Sequence, residues 1–230
     1  MDVAASAAGL SGTLLDIYLL LHKRFGHRNW WPGDTPFEVI VGAILTQNTA
    51  WTNVERAIAN LKSNGGFSAH GLLKLETAKL AGLIRPSGYF NQKALRLKAI
   101  CQYLVDRCGA DLELFKAVPT DELRKELLAI TGIGPETADS ILLYALDRPV
   151  FVVDTYTRRA LGRIGLIAEM ADYHTVQRLF MDNLALDVEL FNDYHAQWVA
   201  LGKDHCRQKP VCGGCPMREI CLNKEVSDHT

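Results

Sequence analysis

Four cysteines, Cys206, Cys212, Cys215 and Cys221, follow the pattern C-x5-C-x2-C-x5-C near the end of the chain. Thiolates at that density repel one another and desolvate poorly unless a cation neutralises them. Metal binding is therefore the first chemistry the sequence indicates. Four-cysteine zinc sites also use C-x2-C pairs, so zinc is one outcome. Zinc ribbons, however, usually carry two short pairs parted by a longer insert. A lone cysteine on either side of the Cys212/Cys215 pair suits the corners of a [4Fe–4S] cubane better. Pro210, Gly213, Gly214 and Pro216 make the segment a tight knuckle.

A second candidate is Asp154, which follows the apolar run Val150–Val153 and opens a helical stretch carrying Arg158, Arg159 and Arg163. An aspartate in that place caps a helix. A carboxylate fixed by backbone amides is also a permanent anion, able to steady positive charge on a sugar or to activate water. A third is the turn Thr131-Gly132-Ile133-Gly134-Pro135-Glu136-Thr137 between two helical patterns. Its glycines permit left-handed backbone angles and close approach of another backbone. Pro135 suits a first helical turn, and Ile133 would plug between the helices. The amides left pointing outward at a helix N-terminus form a ready phosphate site, able to grip a DNA backbone of any sequence. A plain αα-hairpin with a glycine turn would look the same.

These groups sit on an almost wholly helical pattern. Apolar periodicity predicts helices over Leu10–Phe25, Phe37–Leu45, Trp51–Lys62, Asn91–Arg107, Asp121–Ile130, Pro135–Leu146, Thr155–Ile164, Tyr173–Leu184 and Asp187–Lys203. Val150–Val153 is the one strand-like run and is too short to found a sheet, so the fold class is all-α. The 230 residues, 48% of them hydrophobic, can bury one large core or two small ones. Cys101 and Cys108 lie seven apart on one predicted helix, about 10 Å along its axis. That is too far for a disulfide, so both read as reduced core residues.

Net charge is −1, but it is unevenly spread. Residues 85–107 hold Arg85, Lys93, Arg96, Lys98 and Arg107 against a single acid, Asp106, whereas 169–193 hold six acids and only Arg178. The basic stretch reads either as a face for a polyanion or as an ordinary solvated helix face. No apolar run approaches membrane-spanning length, and Met1–Ala4 lack a basic leader, so a cytoplasmic, nucleoid-associated protein is expected.

T-G-I-G-P-E-T-A-D-S-I-L-L-Y-A-L, then V-V-D-T-Y-T-R-R, then the cysteine tail together resemble the helix-hairpin-helix DNA glycosylases of the endonuclease III family. The first cysteine gap is five residues where that family usually has six. The resemblance implies two helical domains flanking a DNA-binding groove. One is a six-helix barrel over 28–148 with the hairpin at 127–146; the other is a discontinuous cluster domain, 1–27 and 149–230, with its loop at 206–221. It implies that Asp154 is the catalytic aspartate, that Gln47 fills the gap left by an extruded base, and that Tyr89 is the wedge beside it. Gly132, Ile133, Gly134, Thr137, Arg158, Arg207 and Lys209 would touch the strand. Lys203, just before Cys206, either faces the groove or is an exposed helix-end lysine.

Bifunctional members place a lysine where this chain has Glu136, and a carboxylate cannot form the imine that cleaves the strand. A monofunctional enzyme follows, with Glu136 bonding the flipped base, positioning water, or simply standing as a solvated helix acid. W-W-P-G-D, T-Q-N-T and G-I-G-x-E resemble the 3-methyladenine DNA glycosylase III branch. There Trp30, Trp31 and Pro32 would wall a base pocket, one tryptophan lining it while the other packs inside. Electron-rich indole faces attract cationic alkylated bases. The adenine-mismatch branch fits less well, because its catalytic glutamate corresponds to Ala43. The nine residues after Cys221 also leave no room for that branch's extra domain. Expected partners are a monomer's double-stranded DNA with one damaged base. Uracil, mismatched thymine or oxidised pyrimidine as the lesion, or a non-catalytic damage binder, are the alternatives.

Overall fold

The computed structural model describes residues 7–168 and 170–222; Met1–Ala4 and Glu169, used above, lie outside them. Eleven α-helices occur among the described residues: α1 Ala7–Phe25, α2 Pro36–Leu45, α3 Trp51–Ser63, α4 Ala69–Lys74, α5 Thr77–Leu83, α6 Phe90–Cys108, α7 Thr120–Ala129, α8 Pro135–Ala145, α9 Thr155–Ile164, α10 Tyr173–Met181 and α11 Val188–Asp204. The described residues contain no strand. Val150–Val153 forms a buried, irregular lead into Asp154. Helices α4 and α5 were not expected, because six or seven residues are too few to show a 3.6-residue apolar period. No helix among the described residues is long and apolar enough to cross a membrane.

The chain divides into two compact units, one running from Trp31 to Arg148 and the other joining the residues up to Trp30 to those from Pro149 onward. In the first, α2 is the central rod: every residue from Glu38 to Leu45 is buried. Thr35 caps it by accepting the Glu38 N–H at 3.2 Å, and Pro36 occupies its first turn, where no N–H is needed. Gly42 lets the rings of Trp31 and Trp51 lie against the helix, where a side chain would crowd the Trp31 indole. The hairpin helices are bound together by a charged pair. Arg124 of α7 grips Asp139 of α8 at 2.6 and 2.9 Å, and Asp139 is fully buried. Cys101 and Cys108 are both free and buried on α6.

In the second unit an aromatic cluster makes the core. Phe151 stacks on Phe180 at 3.7 Å, Phe191 and Tyr194 meet Phe151 edge-on, and Tyr194 stacks on Trp198. Helix α1 is fastened to α11 by one carboxylate, Asp193, which is 2% exposed. It accepts from Tyr18 Oη at 3.0 Å, from the Arg28 N–H at 2.8 Å and from Gln197 Nε2 at 3.0 Å, with His22 Nδ1 also at 3.0 Å. Burial works to raise the Asp193 pKa, but those bonds outweigh it and hold the group below its ordinary value of 3.8. A depressed carboxylate contributes stability that is present above its unfolded pKa and lost as pH falls through the folded one. Asp193→Asn should therefore cost about 1–3 kcal/mol in urea unfolding at pH 7. The deficit should narrow as pH drops below 3.8.

Candidate active site

The hairpin forms as the sequence requires at one glycine and differently at the other. Gly132 takes φ +87°, a left-handed angle that favours glycine, and the Arg96 side chain lies where a Cβ would stand. Gly134 is extended at φ −93° and caps α8, with open space around the position of a Cβ. Left-handed geometry is thus needed at Gly132 alone. Ile133 is buried as a plug, and Gly132 and Gly134 are exposed. Glu136 stands exposed in the first turn of α8, whereas Thr137 is buried and accepts from Gln47 Nε2 at 2.9 Å.

Gln47, just past α2, also gives Nε2 to the Gly132 carbonyl at 3.3 Å and takes a bond from Arg96 on its Oε1. Tyr89 caps α6 in the left-handed region at φ 45° and is 66% exposed, a strained residue holding a large ring in solvent.

The basic stretch 85–107 is a solvated face only in part: Arg85 and Arg107 are exposed, while Lys93 and Lys98 turn inward. Lys93 is buried and donates to the carbonyls of Leu45 and Ser87 at 2.8 and 2.7 Å. Lys98 donates to those of Leu73 and Leu75. Arg107 pairs with Glu122 and Glu126 at 3.1 Å. The long stems of Lys93 and Lys98 carry their charges inward to loop and helix-end carbonyls, whereas Arg107 stays at the surface among carboxylates. Arg85 stays exposed, over the Phe90 ring.

The adjacent tryptophans part. Trp31 lies against Trp51 at 5.2 Å and Tyr144 at 5.1 Å in the barrel unit. Trp30 belongs to the other unit, where Lys203 Nζ sits 5.7 Å from its ring centre. Both are half-buried, and Pro32 is exposed.

Asp154 is the N-cap of α9 and only 8% exposed. Its Oδ1 accepts the Thr157 N–H at 2.7 Å and the Thr157 hydroxyl at 2.8 Å. Its Oδ2 lies 3.6 Å from His195 Nε2. Burial pushes the carboxyl pKa up; the nearby His195 ring and then the two Thr157 donors overcome that push and leave it below 3.8. The carboxylate is therefore ionised at neutral pH although nearly enclosed. His195 escaped the sequence reading, since a lone histidine inside an apolar helix carries no motif. Gly202 brings α11 against α9: a Cβ there would fall inside the Tyr156 ring contact.

The last turns of α9 hold the cysteine loop. Arg159 Nε donates to the Cys206 carbonyl at 2.7 Å. Arg163 donates to Cys206 Sγ at 3.3 Å, the Arg207 carbonyl at 2.6 Å and the Gln208 carbonyl at 2.9 Å. All four thiols line one pocket together with Arg163 and His205. Burial raises the Cys215 pKa, the Met217 N–H opposes it, and the charges of Cys212, Cys206 and Cys221 raise it further. Among the described residues no group of three or more His, Cys, Asp or Glu side chains could hold a metal ion as placed. Four cysteine sulfurs around one pocket, with a guanidinium on one of them, nonetheless have the donor chemistry of an iron–sulfur site. Arg158, Arg207 and Lys209 are exposed; Arg158 donates to the Ala171 carbonyl at 2.9 Å and Arg207 to that of Lys203 at 2.6 Å.

A helical hairpin, a capped anion and a four-thiol knuckle in this order define a base-excision architecture, and residues 41–185 match the HhH-GPD superfamily base excision DNA repair protein family. The chain belongs to that superfamily and is a DNA glycosylase of the endonuclease III-like kind. It is 50% identical over 212 residues to a provisionally assigned DNA repair glycosylase of Methanocaldococcus jannaschii, covering 90% of this chain and 95% of that one. It is 30% identical to endonuclease III of Thermotoga maritima, covering 81% and 82%. Among solved structures, Helicobacter pylori 3-methyladenine DNA glycosylase bound to 1,N6-ethenoadenine is 31% identical, with a TM-score of 0.70 over 86% of this chain and 97% of that one. A non-covalent endonuclease III–DNA complex has a TM-score of 0.81 over 96% and 99%; at 22% identity it shows the fold alone.

Gly202→Ala should separate α9 from α11, lower stability by about 1–3 kcal/mol and weaken the Asp154–His195 contact. Thermal unfolding, with the His195 ring resonances followed by NMR, checks both effects.

Proposed function

We propose that this protein is a monofunctional glycosylase that everts an N-alkylated base, such as 3-methyladenine, from double-stranded DNA and hydrolyses its glycosidic bond. It acts as a monomer. The observation that carries the reading is Asp154, an anion kept ionised in near-enclosure by Thr157 and His195. As an N-alkylated base leaves, positive charge shifts from the base to the sugar, and a fixed carboxylate lowers the cost of that shift. Such bases depart easily, so little general acid is required. The hairpin's main-chain amides take the phosphates, apart from Pro135, which has no N–H, and Ile133, whose N–H goes to Ile130; Tyr89 wedges the stack and Gln47 enters the vacated space. Trp30, Trp31 and Pro32 supply apolar and indole surface for the base. The likeness to the 3-methyladenine glycosylase, which carries an ethenoadenine, supports this lesion class.

Glu136 supports hydrolysis without strand cleavage. It is exposed in the hairpin's first turn, and a carboxylate forms no imine with the sugar.

We infer further that Cys206, Cys212, Cys215 and Cys221 hold a [4Fe–4S] cluster. It orders the loop bearing Arg207 and Lys209 and leaves the hydrolysis to Asp154.

Duplexes each holding one modified base, incubated with protein and resolved with and without alkali, test the reaction. Strand breaks confined to the alkali-treated alkylated substrates are expected; breaks without alkali would overturn the Glu136 argument. Asp154→Asn should retain the fold and lose roughly 100-fold or more in single-turnover rate; excision at the wild-type rate removes the catalytic assignment. Metal analysis of anaerobically purified protein should return about four irons and four sulfides per chain, and zinc in their place would refute the cluster.

A further inference from the structure

We propose that Lys93 and Arg96, one turn apart on α6, are positioning residues for base eversion, fixing the loops that present Gln47 and Tyr89 and latching Gln47 to the hairpin. The proposal rests on the reading of Gln47 as gap filler and Tyr89 as wedge.

Lys93 is 1% exposed, and its ammonium meets two carbonyls from different elements. One is Leu45, the last residue of α2; the other is Ser87, at the end of the 3₁₀ turn Arg85–Ser87. A cation at a helix C-terminus satisfies an orphan carbonyl and the helix dipole together. Burial, and then the charge of Arg96, depress the Lys93 pKa to about 8, so enclosing this ammonium carries a desolvation cost. What the ammonium supplies is a common anchor for two loop roots that lie more than forty residues apart in sequence.

Each anchored root leads directly into left-handed backbone, which asparagine adopts readily and tyrosine only under strain. Asn48, three residues past Leu45, sits at φ 53°, and Tyr89, two residues past Ser87, at φ 45°. A tyrosine holds such an angle only where its surroundings over-determine it. Arg96 acts on the same pair of loops from the next turn. It donates to Gln47 Oε1 and lies across Gly132, whose carbonyl in turn accepts from Gln47. The Gln47 amide is thus bonded at both ends, its nitrogen to the hairpin and its oxygen to Arg96 of α6. Its side chain can leave for a vacated stack by exchanging those partners while the loop root stays pinned.

The test uses a duplex with a tetrahydrofuran abasic analogue opposite 2-aminopurine, whose fluorescence rises when the orphan base is unstacked and which requires no particular lesion. Wild-type protein at saturation should raise the signal. Lys93→Met and Arg96→Ala should cut the saturating amplitude at least fivefold while changing the Kd for the same duplex less than threefold, a separation that a general loss of fold would not produce. Gln47→Ala and Tyr89→Ala are run alongside. If these two lose amplitude while Lys93→Met keeps the wild-type signal, the proposal fails and the wedge reading survives. Should Lys93→Met not fold, Arg96→Ala decides: wild-type amplitude there overturns the proposal. Wild-type amplitude in both Gln47→Ala and Tyr89→Ala sinks the wedge reading, and the proposal with it.

Discussion

The unit that carries Asp154 is organised around one requirement: a carboxylate must stay charged while almost enclosed. Burial alone would neutralise it. Two donors on Thr157 and the ring of His195 reverse that tendency, and each comes from a different structural cause. Thr157 is supplied by the helix that Asp154 itself caps, so the sequence neighbour comes at no cost in topology. His195 must be delivered by α11, which depends on the close crossing at Gly202 and on the aromatic core behind it. Asp193, two residues from His195, fastens the same helix to α1. The anion is thus the local outcome of a packing arrangement that reaches across its whole unit.

The barrel unit solves a different problem, that of placing irregular backbone reliably. Gln47, Tyr89 and the Gly132–Gly134 segment lie on turns, where no ladder of hydrogen bonds fixes the chain. Cations reaching inward from α6 do that fixing, and the Arg124–Asp139 pair holds the hairpin's two helices in register. Lys93, Lys98 and Arg124 serve here as internal fasteners, the lysines for carbonyls and the arginine for a buried carboxylate.

Residues whose local conformation is set by neighbours in sequence are legible without the structure. The cysteine spacing, the aspartate after an apolar run, the Gly-Ile-Gly turn and the long amphipathic helices all fall into this group, and the all-helical architecture follows from them. What tertiary packing alone decides was not legible. His195 acquires meaning only from the crossing of two helices distant in sequence. The cluster of positive charge on α6 looked like surface because composition records charge and not the direction of a flexible stem. Gly134 read as a second left-handed glycine, yet its place at the start of α8 requires only extended backbone. Helices α4 and α5 are shorter than two turns, below the length at which periodicity can speak.

Helix α9 joins the two chemistries of its unit in about 15 Å of rod. Its opening residue is preceded by the capping anion, and its closing turn is bolted to the cysteine knuckle through Arg159 and Arg163. A rod that short does not bend between its ends. The orientation of the carboxylate and the integrity of the thiol loop are accordingly a single mechanical variable, and any disturbance of one is reported at the other.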